Sequence, residues 1–208
     1  MLNQIASALH RKDEAPNVQL ADKLAASQNS KGISEIVSGL WMDKATANDC
    51  IKVLYEIGEQ NPALIVPHVG EFLNLLKSRN NRLVWGAMTA LAHIAGHCPK
   101  KVFERWKDVY AAFETGSVIT VDNSISVFAI LCTANPEYER TVLPVLLNHF
   151  ANCRAKEIPQ HLERTSICVT PCNAEQFQSV VQKRYNEMTK SQQARVNKIL
   201  KKIDLSCK

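Results

Sequence analysis

Apolar residues recur along this chain with a helical step, and the helices they imply recur every 37 residues. Ala47, Val84 and Val121 fall at that interval, as do the small residues Cys50, Ala87 and Ser124. Leu54, Leu91 and Phe128 follow, then Ile57, Ile94 and Leu131. Steps of three and four residues within each set place these side chains on one helix face. A second series runs Val69, Trp106 and Leu143; Phe72, Val109 and Leu146; Leu73, Tyr110 and Leu147; Leu76, Phe113 and Phe150. Its i, i+3, i+4, i+7 spacing predicts a second amphipathic helix in every unit. Between the two series stand Asn61-Pro62, Cys98-Pro99 and Asn135-Pro136, again 37 residues apart. Proline suits the first position of a helix, so these pairs read as the turns that open the second helices.

The flanking units are looser. Ile33, Ile36, Val37 and Leu40 echo the second series upstream, with Val18, Leu20, Ala21 and Leu24 as their first helix. Downstream, a first helix around Leu162–Val169 precedes Val181, Tyr185 and Met188, and a turn is expected near Cys172. Val196, Ile199, Leu200 and Ile203 line one side of a final helix over 191–203. Terminal units cap a stack with one solvated face, so a looser pattern there is expected. The predicted organisation is one helical-repeat domain over 1–208. Its repeats span 6–42, 43–79, 80–116, 117–153 and 154–190, followed by a capping helix. In fold class this is an all-α, right-handed α-solenoid of about five antiparallel helix pairs.

Composition agrees with that organisation. An apolar fraction of 46% supplies a continuous core, while 7 Gly and 8 Pro speak against collagen, disorder or a turn-dense β fold. Apolar runs such as 63–67 and 142–147 are far too short to cross a bilayer, so no membrane association is expected. The first ten residues lack the basic start and apolar centre of a secretory signal. Seven cysteines without a regular framework point to a reducing, cytoplasmic setting.

The run Leu83-Val84-Trp85-Gly86-Ala87-Met88-Thr89-Ala90-Leu91-Ala92-His93-Ile94-Ala95 resembles the first helix of HEAT repeats. The resemblance, to the armadillo/HEAT superfamily of helical repeats, covers most of the chain. It implies a concave side lined by second helices, with the partner lying there. On this chain that side would present His68, Glu71, Asn74, Lys77, Arg105, Lys107, Asp108, Asn148 and Asn152. The function implied is a non-enzymatic scaffold or adaptor for a protein or peptide. The competing reading of these polar positions is an ordinary solvated face.

Charge adds an alternative. The net charge is +5, yet residues 154–208 hold 11 Lys and Arg against 5 Asp and Glu, so the excess sits in the last quarter. Its basic positions are Lys183, Arg184, Lys190, Arg195, Lys198, Lys201, Lys202 and Lys208, with Arg154, Lys156 and Arg164 nearby. Arg195, Lys198 and Lys202 follow i, i+3, i+7 and form a stripe away from the apolar side. Phosphate backbones reward such a stripe through counterion release, so nucleic-acid binding is the rival function. Helical-repeat DNA glycosylases are the nearest enzymatic precedent, but their catalytic residues find no specific match in this chain.

Candidate chemistry is sparse. Cys168 and Cys172 with His161 lack the short gap and second pair of a zinc knuckle. His93 and His97 have the i, i+4 spacing of zinc proteases, but Ile94 stands where those enzymes carry Glu. Neither set predicts a metal, and no cofactor is expected. The seven glycines are isolated, which excludes a phosphate-cradling loop, and no nucleophile elbow is present. Of the three tryptophans, Trp106 belongs to a core column, Trp85 flanks the core where it would cover an inter-repeat groove, and Trp41 ends a helix.

Overall fold

The computed structural model describes residues 1–206, and Lys208 of the basic tail lies outside that range. Twelve α-helices, joined by short 3-10 turns, account for the secondary structure among the described residues, with no strand. They are α1 (Ala15–Ala26), α2 (Ser30–Gly39), α3 (Lys44–Gln60), α4 (Val69–Leu75), α5 (Asn81–Ile94), α6 (Pro99–Glu104), α7 (Trp106–Thr115) and α8 (Val118–Ala134). Then follow α9 (Pro136–Asn152), α10 (Ile158–Thr165), α11 (Ala174–Lys183) and α12 (Lys190–Ser206).

Cap chemistry explains the starts. Asp43 precedes α3 and accepts from the backbone N–H of Ala45 and Thr46 at 3.0 and 3.2 Å. Asn29, Asn80 and Asn135 perform the same task for α2, α5 and α9, accepting from Gly32, Arg82 and Glu137. Such caps satisfy amides that have no partner within their own helix. Pro62, Pro99 and Pro136 stand at the openings that the 37-residue interval implied.

The second half of each repeat is less uniform than a single helix. After Asn61 the chain makes two 3-10 turns, Pro62–Leu64 and Val66–His68, before α4 begins. Pro67 falls inside this segment and has no N–H to extend a helical ladder. In the next repeat the segment splits at Arg105, whose backbone (φ −108°, ψ 22°) interrupts α6 and α7. In the third, α9 runs unbroken through Pro144, held by the fully buried Val142, Leu146 and Phe150 on its core face. The first helix expected around 162–169 starts earlier, as α10 from Ile158, and its tail tightens into a 3-10 turn over Ser166–Cys168.

The chain forms two compact units, Met1–Ser124 and the residues from Ile125 onward, with the boundary inside α8. In the first unit α1, α3 and α5 lie side by side, with α2 packed on α3 and α4 on α5. Close approach within this layer needs glycine: a Cβ on Gly86 would sit 2.6 Å from Ile51 Cγ1. In the second unit α9 packs against α11 and α10 against α12. The first-helix columns form the core: Leu54, Leu91 and Phe128 are fully buried, as are Ile57, Ile94 and Leu131. Ser124 is the polar member of its column, and its hydroxyl donates to the Thr120 carbonyl at 2.8 Å. Of the second series, Trp106 is only half-buried, its ring 5.8 Å from that of Tyr110.

Candidate binding surfaces

Second-helix positions singled out from the sequence meet in the first unit. Arg105, at the break between α6 and α7, donates to Asn74 of α4 at 3.3 Å and to Asp108 at 2.5 Å. Lys77 reaches the other oxygen of Asp108 at 2.9 Å. Burial alone would raise the Asp108 carboxyl, but hydrogen bonds from Lys77 and Arg105 overcome it and hold the group below its ordinary value. The cluster therefore couples two successive repeats through one carboxylate and two cations. Lys107 beside it is exposed, and Glu71 is half-buried on α4. His68 ends a 3-10 turn, where burial holds its imidazole below the usual value against the opposing pull of Glu71. Asn148 lies on α9 in the second unit, exposed, accepting from Asn152 at its carbonyl and its side-chain oxygen.

The opposite layer carries a polar and aromatic strip that the repeat columns did not reveal. Glu14, at the start of α1, pairs with Arg82 of α5 and lies 3.5 Å from Lys52 of α3, which also pairs with Glu56. The Arg82 guanidinium covers the Trp85 ring at 5.4 Å, and Lys52 covers Tyr55 at 4.9 Å. Tyr55 and Trp85 stand 5.7 Å apart. Trp85 thus sits where two repeats meet, half-buried, as its place beside the core columns suggested. Asn80 donates to Asn48 and Asn123 to Thr89, both at 2.8 Å, extending the polar links between neighbouring helices. Trp41, with Met42, is exposed at the turn after α2.

The basic C-terminal positions have divided duties. Arg184 donates to the carbonyls of Phe150, Ala151 and Cys153 at 2.9–3.1 Å and pairs with Glu187. It caps the end of α9, satisfying carbonyls that the helix leaves open. Arg195 forms a two-pronged pair with Glu163 of α10, which keeps that carboxyl below its ordinary value. Lys198 and Lys202 line an opening of about 410 Å³ with Glu163, Ser166, Arg195, Ile199 and Ile203. Lys183 is exposed at the end of α11.

His161 joins neither Cys168 nor Cys172 in a ligand set. It is fully buried on α10, and its Nδ1 lies 2.8 Å from Nε2 of His149, near the end of α9. Cys153 completes a group whose three ligating atoms all lie within 4.8 Å of one another. Burial first, then Glu157, push the Cys153 thiol up to about 11. Cys168 contacts Cys132 instead, and their hydrogen bond together with burial drives the Cys132 thiol well above its ordinary value. Cys172 is exposed. His93 is half-buried and His97 exposed, and neither belongs to a metal-ligating group among the described residues. The His149–Cys153 spacing of four was legible in the sequence. Its third member was not, because it arrives from the next helix.

No family model matches the chain, and no curated protein matches it in sequence. Solved structures do share its fold. A computationally designed armadillo repeat protein for modular peptide recognition is 13% identical, with a TM-score of 0.66 over 96% of this chain and 97% of that one. Two engineered proteins from the Northeast Structural Genomics Consortium are each 15% identical, with TM-scores of 0.64. They cover 99% and 97% of this chain and 97% and 98% of their own. No helix among the described residues is long and apolar enough to cross a membrane. The chain is an all-α solenoid with the armadillo/HEAT-like helical-repeat fold.

Proposed function

We propose that this chain is a non-catalytic scaffold that holds an extended peptide of a partner protein along its second-helix face. The observation that carries the reading is the Asn74–Lys77–Arg105–Asp108 cluster, in which successive repeats place hydrogen-bonding side chains at one junction. His68, Glu71 and Lys107 extend this face in the first unit. Repeats that present similar side chains at regular intervals suit a ligand whose own groups recur at regular intervals, as an extended backbone's do. A fold shared with a protein designed for modular peptide recognition supports the same class of ligand. Lys77, Arg105 and Lys107 outnumber the two carboxylates, so the peptide carries acidic side chains.

The test is selection of peptides from a randomised display library against the purified chain, followed by anisotropy titration of those selected. A Lys77→Glu/Arg105→Glu double variant should weaken binding by at least about tenfold, the factor equivalent to 1.4 kcal/mol. Trp85→Ala, on the opposite layer, should leave it unchanged. Loss of binding in Trp85→Ala alone would move the site to the α3–α5 strip. Failure to select any peptide would end the proposal.

A nucleic-acid reading has one specific observation in its favour, the opening lined by Arg195, Lys198 and Lys202. The pairing of Arg195 with Glu163 and the capping role of Arg184 weaken it.

A further inference from the structure

We propose that His149, Cys153 and His161 form a zinc-binding site in the second unit. Each residue is positioned by an ordinary helical cause. His149 and Cys153 are four apart at the end of α9, so both side chains project from one face. The backbone N–H of Cys153 donates to the His149 carbonyl at 2.7 Å, fixing the turn between them. His161 comes from the middle of α10, fully buried, and its ring centroid lies 4.9 Å from that of His149.

The donor set selects the metal. Two imidazoles and one thiolate suit a borderline-soft divalent ion and offer nothing to Mg2+ or Ca2+, which want oxygen. Tetrahedral zinc, with bonds of about 2.0–2.1 Å to nitrogen and about 2.3 Å to sulfur, needs ligating atoms about 3.3–3.6 Å apart. All three lie within 4.8 Å of one another, and the two nitrogens, now 2.8 Å apart, need only separate slightly. Arg184 already caps the carbonyls of Phe150, Ala151 and Cys153, so the local charge that favours a cation comes from a carboxylate. That carboxylate is Glu157, within electrostatic range of His161. Three protein ligands leave a fourth position for water.

Binding balances simply. In the metal-free pair one of the facing nitrogens donates its N–H to the other. When zinc enters, that ring moves its proton to its other nitrogen, and both imidazoles bind as neutral ligands. Cys153 binds as thiolate, and its proton leaves to solvent, so affinity rises with pH.

The experiment uses the full chain stripped of metal with a chelator and titrated with Co2+. One equivalent should produce a thiolate-to-cobalt charge-transfer band and the visible bands of tetrahedral cobalt, and Zn2+ should bleach both. Zinc at a hundred times its Kd should raise the unfolding temperature by about 5–10 °C. Cys153→Ser should abolish the charge-transfer band and weaken zinc by more than the roughly 10–100-fold typical of outer-shell changes. His149→Gln should weaken it similarly, while Cys172→Ser and His97→Gln should change nothing. If His149→Gln does not fold, the near-isosteric Cys153→Ser still decides, with circular dichroism confirming its helicity. No cobalt band in the unmodified chain, or a band that survives Cys153→Ser, overturns the site.

Discussion

Asn17 shows how a single polar side chain can hold an irregular segment in place. It is fully buried on α1, where its oxygen accepts from the Ala6 N–H at 2.9 Å and its amide donates to Asp49 of α3 at 2.8 Å. Asp49 in turn accepts from the Ser7 N–H at 2.7 Å. The chain before α1 is thereby stitched to α3 through one amide. Asn17→Ala should cost about 1–3 kcal/mol, because the Ala6 N–H would be left buried without a partner. Urea unfolding followed by circular dichroism measures it, and a loss under about 0.5 kcal/mol, the range of ordinary surface substitutions, would refute the role. Nothing in the sequence marked Asn17, since its partners lie 11 and 32 residues away and no repeat column contains it. Leu54, Leu91 and Phe128 were legible for the opposite reason: their burial follows from a local period, which a sequence displays directly.

Helices are tied to one another at few polar points, and Glu14 is the point shared by three of them. It pairs with Arg82 of α5 and Lys52 of α3 from the position just before α1. The Arg82 hydrogen bond is the main cause that holds its carboxyl below the ordinary value. A carboxyl depressed in the folded state contributes stability above its unfolded pKa and loses it as pH falls through the folded one. Glu14→Gln should therefore lower the unfolding temperature near neutral pH, and the gap should close once pH drops below that depressed value. Side chains 45% and 31% exposed limit the effect to under about 1 kcal/mol. Thermal melts of both proteins between about pH 2 and 7 check this, and a gap unchanged across the range would contradict it. At this scale the sequence was a good guide to where helices begin, because Asn-Pro pairs and caps act within a few residues. It was a poor guide to their continuity. Pro67 breaks its segment into 3-10 turns, Arg105 separates α6 from α7, and Pro144 is absorbed within α9. Which outcome a proline has depends on burial of the face around it, a tertiary matter.

Across the whole molecule the charge excess is confined to residues 154–208, but pairing shrinks the part of it that faces solvent unopposed. Arg154 binds Glu157, Arg184 binds Glu187 and α9 carbonyls, and Arg195 binds Glu163. A count of basic residues in the sequence cannot anticipate this, because Glu163 and Arg195 are 32 residues apart and meet only when α10 and α12 pack together. Among the stripe residues, Lys198 and Lys202 are left exposed beside the opening with Ile199 and Ile203. Each phosphate contact contributes about −0.9 to the slope of log affinity against log salt on duplex DNA. The two stripe lysines acting alone give a slope of about −2, whereas the eight basic residues of the full tail acting together would give about −7. We expect the shallow slope, with no preference for sequence, because lysines held only to phosphate read no base. Lys198→Gln/Lys202→Gln should reduce it nearly to zero while helicity is retained, since both side chains are exposed. Fluorescence anisotropy on a labelled duplex, from about 50 to 200 mM salt, reads both quantities. A slope near −7 would mean that the ion pairs open on DNA, restoring the nucleic-acid reading. No binding at about 50 mM salt would leave the stripe as an ordinary solvated face.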